Sequence, residues 1–230
     1  MDALVQQLQK YIIPDGSAQK PYMTRRGELF GMDWIQAAIL EGRGFIFNAG
    51  AFSTPVVGGG AGTIIDNDQP EVGILIPSGT TIVPFRVHVQ LTTPLLAADS
   101  DEAETVFYAD TTAATAALAL DGTWTNTVTP KNMRVAATNV NTSECTVKTL
   151  CTADTTEPTE TIDLFHSVIL ADLNGTAANA LWTRHDVLYE PKNPLYIVGP
   201  ALVFGYWGGT VATNAFLQFA YLEFPTTQVS

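Results

Sequence analysis

Cysteine is nearly missing from this chain, with two in 230 residues, Cys145 and Cys151. Two thiols cannot staple a small disulfide scaffold, and their separation of six spans ~20 Å in an extended chain, too far for a bridge. Both are read as reduced, unless a hairpin between them brings them together. Long apolar runs are missing as well: no stretch approaches the ~20 residues of a membrane helix. The start MDALVQQLQKY has neither the basic residues nor the apolar core of a secretory signal. A soluble protein with no membrane partner and no export is expected. Disorder is excluded from the other side, because 46% of the residues are hydrophobic and only 15% charged.

Basic residues are scarce, 11 against 23 acidic, for a net charge of −12. Up to Phe47 the signs balance at five each, so the remaining six basic and 18 acidic residues put the whole excess on the body. Such a body repels nucleic acid and anionic membranes, and no nucleic-acid partner is expected.

The usual starting points for chemistry are absent. His88, His166 and His185 never fall at the close spacing with which a β fold holds a catalytic metal. Gly58 to Gly62 lacks the Lys-Ser/Thr of a phosphate loop and runs into strand-like Thr63-Ile64-Ile65. There is no Gly-X-Ser-X-Gly elbow, and neither cysteine has a neighbouring histidine. The acidic groups at Asp66–Glu71 and Asp99–Glu104 lack the twelve-residue calcium-loop pattern and read as solvated turns; of their carboxylates, Asp99, Asp101 and Glu104 are the best calcium ligands. Trp124, Trp182, Trp207 and Tyr206 suit a core better than a sugar-binding face. No catalytic residue, metal or cofactor is assigned.

What the chain does hold is strand signal. In PEVGILIPSGTTIVPFRVHVQL, Pro70 to Leu91, residues Val83, Phe85, Val87, Val89 and Leu91 alternate with Arg86, His88 and Gln90, which predicts a half-buried strand. Pro77-Ser78-Gly79 separates it from the apolar run Val72–Ile76 and predicts a hairpin. From Gly44 onward, runs rich in Val, Ile, Thr and aromatics recur between Gly, Pro, Asn and Asp turns, Met133–Val140 among them. An all-β, antiparallel β-sandwich over residues 44–230 is expected. The closing run NAFLQFAYLEF is apolar on both faces, so it predicts a sheet edge whose second face needs cover from the N-terminal arm or from another copy, through Phe216, Phe219 and Tyr221; the alternative is a central strand covered by its own loops.

Residues 1–43 differ in kind. Leu4, Val5, Leu8, Tyr11 and Ile12 have helical spacing, Pro14-Asp15-Gly16 stops that run, and Asp33 is placed to cap a short helix through Trp34, Ile35, Ala38 and Ile39. The intervening segment is polar but carries spaced aromatics, a composition that fits an arm lying along another protein or one folded onto its own domain.

Together, the partly helical arm, the Thr- and Gly-rich sandwich of low charge density, the passage ILIPSGTTIVPFRVHVQL and the aromatic last strand resemble the jelly-roll structural proteins of virus particles. The greatest similarity is to the capsid decoration, or cement, proteins of tailed bacteriophages. That resemblance implies a jelly roll that forms homotrimers on the capsid surface after assembly in the host cytoplasm, with arms clamping the major capsid protein. It implies partner contacts through Tyr11, Tyr22, Phe30 and Trp34, with Arg25 and Arg26 meeting carboxylates. The alternative is a trimeric adhesion module that binds a glycan or receptor.

Overall fold

The computed structural model describes residues 33–228 apart from 52–53, 59–64, 67, 92–100, 111–119, 136–139, 154–160, 172–185 and 210–212. Tyr11, Tyr22, Arg25, Arg26, Phe30, Asp99, Trp182 and His185 therefore lie outside the described residues. By internal contacts the chain divides into Met1–Ala37 and Ala38–Ser230. The division falls within the expected short helix, α1, Trp34–Leu40, which follows Asp33 directly and whose Ala37 N–H donates to the Asp33 carbonyl at 2.9 Å.

Among the described residues the larger unit holds thirteen strands: β1 Gly44–Ala49, β2 Val56–Gly58, β3 Val72–Ile76, β4 Thr80–Leu91, β5 Asp101–Asp110, β6 Thr123–Val128, β7 Lys131–Asn132, β8 Thr146–Ala153, β9 Thr161–Ala171, β10 Asp186–Tyr189, β11 Ile197–Val198, β12 Ala201–Gly209 and β13 Thr213–Pro225. They form two antiparallel sheets packed as a sandwich, one ordered β10-β4-β13-β1-β7 with β11 on β4 and β2 on β13, the other β6-β8-β3-β12-β5-β9. Setting aside the additions β2, β6, β7, β8 and β11, the sheets read β10-β4-β13-β1 and β9-β5-β12-β3. Every successive strand then changes sheet except β5 to β9, and the first and last strands lie side by side. This is the connectivity of a jelly roll, in which two Greek keys wrap one core.

Aromatic side chains fill the space between the sheets. Phe219 stacks on Phe47 with ring centroids 5.4 Å apart and tilts against Phe107 at 6.0 Å, while Tyr221 stacks on Phe45 at 5.9 Å. Fully burying one such ring contributes about 1.5–3 kcal/mol. Trp207 is fully buried beside them and its indole N–H donates to the Val56 carbonyl at 3.3 Å. A second apolar cluster, containing Val106, Tyr108, Leu120, Phe204 and Tyr206, lies on the other face of the β12–β5 pair, with Trp124 packed against it.

Four expectations are corrected. β3 and β4 do not pair as a hairpin, because β3 pairs with β8 and β12 while β4 pairs with β13 and β10. The turn at Pro77–Gly79, with Thr80 N–H to the Pro77 carbonyl at 3.2 Å and Gly79 at φ 85°, carries the chain from one sheet to the other. The alternation in β4 also changes phase: Pro84 lies opposite Tyr221 and Arg86 opposite Ala220, so Phe85 is an extra residue. Ile82 joins Val87, Val89 and Leu91 in the core, and Val83 faces the other way. Met133–Val135 is a turn and not a strand, held by Arg134 N–H to Asn132 Oδ1 at 2.9 Å.

The fourth correction concerns β13, which lies between β4 and β1 and is not an edge. Phe219 and Tyr221 are each 0% exposed within the core, so neither has surface to offer another copy. The second sheet of the sandwich covers the face that carries Leu217, Phe219 and Tyr221, and on the opposite face Ala220 and Leu222 are buried as well.

Candidate functional site

Three groups of polar side chains stand out against this apolar interior. The most connected joins the segment before β8 to β13. Ser143 Oγ donates to Glu223 Oε2 at 2.7 Å; with its proton so used, it accepts from the Tyr221 hydroxyl at 2.6 Å and from the Cys145 N–H at 3.1 Å. The other carboxylate oxygen of Glu223 accepts the Glu144 N–H at 3.0 Å. Burial, followed by the charge of Glu223, raises the Cys145 thiol pKa, and burial followed by Cys145 raises the Tyr221 phenol. A thiol held protonated is a poor nucleophile, and Ser143 meets a carboxylate where an activated serine would meet a base with proton-accepting geometry at imidazole. The arrangement ties two segments together.

Above this network lies a groove of about 690 Å³ whose lining includes Glu41, Arg43, Glu144, Glu223 and Phe224. Arg43 pairs with Glu41 at 3.1 Å and sits 5.2 Å over the Phe224 ring. The second group centres on Glu71, only 4% exposed, which accepts the Trp207 backbone N–H at 3.1 Å. Nearby, the Tyr108 hydroxyl donates to that of Tyr206 at 2.7 Å. Burial, then Tyr108, raises the Tyr206 phenol, which keeps that hydroxyl protonated.

The third group lies on the outer face of the first sheet. Asn48, His88, Gln90, Phe216 and Gln218 line a shallow depression of about 370 Å³. Gln218 Nε2 donates to Asn48 Oδ1 at 3.3 Å, and His88 pairs with Asp186 of the neighbouring strand. Planar amides and an imidazole beside a half-buried ring can bind a hydroxyl-rich ligand by paired donors and acceptors.

The expected site residues that can be seen do not converge. Trp34 is 42% exposed on α1, and Phe216 lines the outer depression. Of the expected calcium trio, Asp101 opens β5 and Glu104, further along the same strand, pairs with His166. Asp66, from the other acidic turn, accepts the Asp68 N–H at 3.1 Å. Among the described residues, no group of three His, Cys, Asp or Glu is placed to hold a metal, and no helix is long and apolar enough to cross a membrane. Sequence reasoning missed the Ser143–Glu223 network, because the two residues are 80 apart in the chain and no local pattern links them. Arg86 and His88 did carry a signal, as alternate polar positions in β4, and both reach acidic partners across the strand. Compared with family models, curated proteins and solved structures, the chain matches none.

Proposed function

We propose that this protein is a structural component of a virus particle, a cement protein that sits on the outside of a capsid shell as a homotrimer and grips the major capsid protein with residues 1–43. The observation that carries the reading is the strand order. Jelly rolls serve capsid proteins, lectins and cupins, and the interior argues among these uses: Phe47, Phe107, Trp207 and Phe219 occupy the space between the sheets, so the sandwich offers a partner its surface.

The charge fits the outside of a shell. A body carrying the whole of a −12 net charge is repelled by packaged nucleic acid and stays soluble when many copies crowd one surface. The arm, balanced in sign, binds through aromatic anchors at Tyr11, Tyr22, Phe30 and Trp34, with Arg25 and Arg26 meeting carboxylates of the shell. Each well-seated aromatic or arginine anchor contributes about 2 kcal/mol or more, and linked copies add by multivalency.

The test is deletion of residues 1–43. The remaining sandwich should fold and stay soluble while losing its attachment to empty shells in co-sedimentation. Undiminished attachment of the truncated protein would sink the reading. One observation favours a second reading, that of a glycan-binding module: the amide-lined depression around Gln90 and Gln218. Titration with a panel of oligosaccharides tests it, and saturable binding abolished by Gln218→Ala would support it.

A further inference from the structure

The depression of about 370 Å³ on the outer face of the first sheet is built by strand register. Phe47, Val89 and Leu217 point into the core, so their neighbours Asn48, His88 and Gln218 point outward. Gln218 of β13 is paired with Asn48 of β1 on one side and with His88 of β4 on the other, which lines the three up across adjacent strands. At the usual strand spacing the row spans about 10 Å. Phe216, on the same face of β13, is half-buried and lies opposite Gln90.

The row keeps hydrogen-bonding groups for a ligand. Gln218 Nε2 donates to Asn48 Oδ1 at 3.3 Å, which leaves Gln218 Oε1 as an acceptor near Asn48 Nδ2 as a donor. His88 Nε2 bonds Asp186, and with the proton of the neutral imidazole used there, Nδ1 is an acceptor. Neighbouring donors and acceptors of this kind suit sugar hydroxyls, each of which can both donate and accept. The negative face of the Phe216 ring attracts the C–H groups of a sugar.

Charge narrows the class. The lining contains no carboxylate, lysine or arginine, and His88 is its sole ionisable side chain. The flanking charges are engaged, Asp186 by His88 and Arg86 by Glu190 at 3.3 Å. A sialic or uronic acid would find no open cation in this lining and would be repelled by a chain of net charge −12, whereas an uncharged sugar meets no such repulsion.

We infer that the depression binds a short neutral oligosaccharide, seated across β1, β13 and β4 with one ring against Phe216. The inference rests on the glycan-binding reading and adds to it the class of sugar and its contacts; attachment to a shell through residues 1–43 neither requires nor forbids it.

Saturation-transfer NMR of the full chain tests it, with lactose, maltotriose and chitotriose as neutral probes and sialyllactose and digalacturonate as acidic ones. At least one neutral probe should bind saturably, and the acidic ones should not. Gln218→Ala and Asn48→Ala should each weaken that binding about three- to tenfold, and Phe216→Ala by about the same factor. Circular dichroism shows which variants stay folded, and Asn48→Ala, at an exposed position, keeps the test open should Phe216→Ala unfold. Preferred binding of an acidic probe, abolished by Gln218→Ala, would overturn the neutral class and leave the glycan-binding reading standing. Neutral binding indifferent to all three substitutions would put the sugar elsewhere and overturn the inference, and binding of no probe at all would overturn both. Loss of shell co-sedimentation in Gln218→Ala, with no sugar bound by the wild type, would assign the depression to the shell instead.

Discussion

The hydroxyl of Tyr221 lies 2.6 Å from Ser143 Oγ, and the serine donates its own hydrogen bond to Glu223 at 2.7 Å. One small side chain thus serves a buried phenol, a buried backbone N–H and a carboxylate. Ser143→Ala should therefore cost more than its size suggests, about 1–3 kcal/mol, because it strands the Tyr221 hydroxyl and the Cys145 N–H. Tyr221→Phe removes the donor and leaves Ser143 on Glu223, so a loss of about 1 kcal/mol is expected. The double variant should cost less than the sum of the two. Urea midpoints read the order, and a Tyr221→Phe loss larger than that of Ser143→Ala would contradict this account of the network.

The same burial sets the response to alkali. Tyr189, Tyr206 and Tyr221 all have phenol pKa values raised above the ordinary value, with burial as the leading cause. A raised pKa means that the folded state holds its protons while the unfolded chain releases them. Stability is then fully present below the unfolded tyrosine pKa of about 10 and falls as pH rises beyond it. Tyrosinate absorbance should lag behind that of free tyrosine and then rise together with loss of the β-sheet signal. A gradual, independent ionisation of all seven tyrosines in the folded protein would refute this.

Much of this architecture was legible in the sequence, and the errors share a physical origin. Alternation reports which side of a strand is apolar but not which strand lies beside it, so the apolar runs flanking Pro77–Gly79 resemble a hairpin even though they belong to opposite sheets. One inserted residue, Phe85, reverses the meaning of alternation on either side of it. β13 is apolar on both faces, and local sequence cannot separate cover within one chain from cover by another subunit. The site was less legible still. Arg86 and Glu190 meet through the β4–β10 register, and Ser143 meets Glu223 where the segment before β8 approaches a strand of the other sheet; no local pattern encodes either.

Two glycines separate crowding from backbone strain. A Cβ on Gly205 would lie 2.3 Å from the Phe107 ring, inside the core. On Gly79 it would meet nothing within 4 Å, but the backbone there holds φ at +85°. Gly205→Ala should cost about 1–3 kcal/mol or more through overpacking, and Phe107→Leu should recover part of it. Gly79→Ala should cost about 1 kcal/mol, with no second-site rescue from packing. Thermal midpoints of the three variants decide whether the two mechanisms are distinct.

β10 is the strand whose hold on the sandwich is most open to adjustment. It is four residues long, pairs among the described residues with β4 alone, and is fixed at both ends by polar contacts: a hydrogen bond between Asp186 and His88, and an ion pair of Glu190 with Arg86 at 3.3 Å. The side chains of these pairs are 31–54% exposed, so each bridge contributes about 0–1 kcal/mol and is screened by salt. Burial of the Phe165–Tyr189 stack, at 5.4 Å between centroids, is the larger attachment. Replacing Arg86 by Ala should leave the global unfolding midpoint nearly unchanged while amide exchange quickens across β10, and added salt should have the same effect on the wild type. Tyr189→Ala should do what neither does, lowering the midpoint together with the local protection, because it opens the edge of the core itself. If Arg86→Ala lowered the midpoint as far as Tyr189→Ala, charge and not the aromatic stack would be what closes this side of the sandwich.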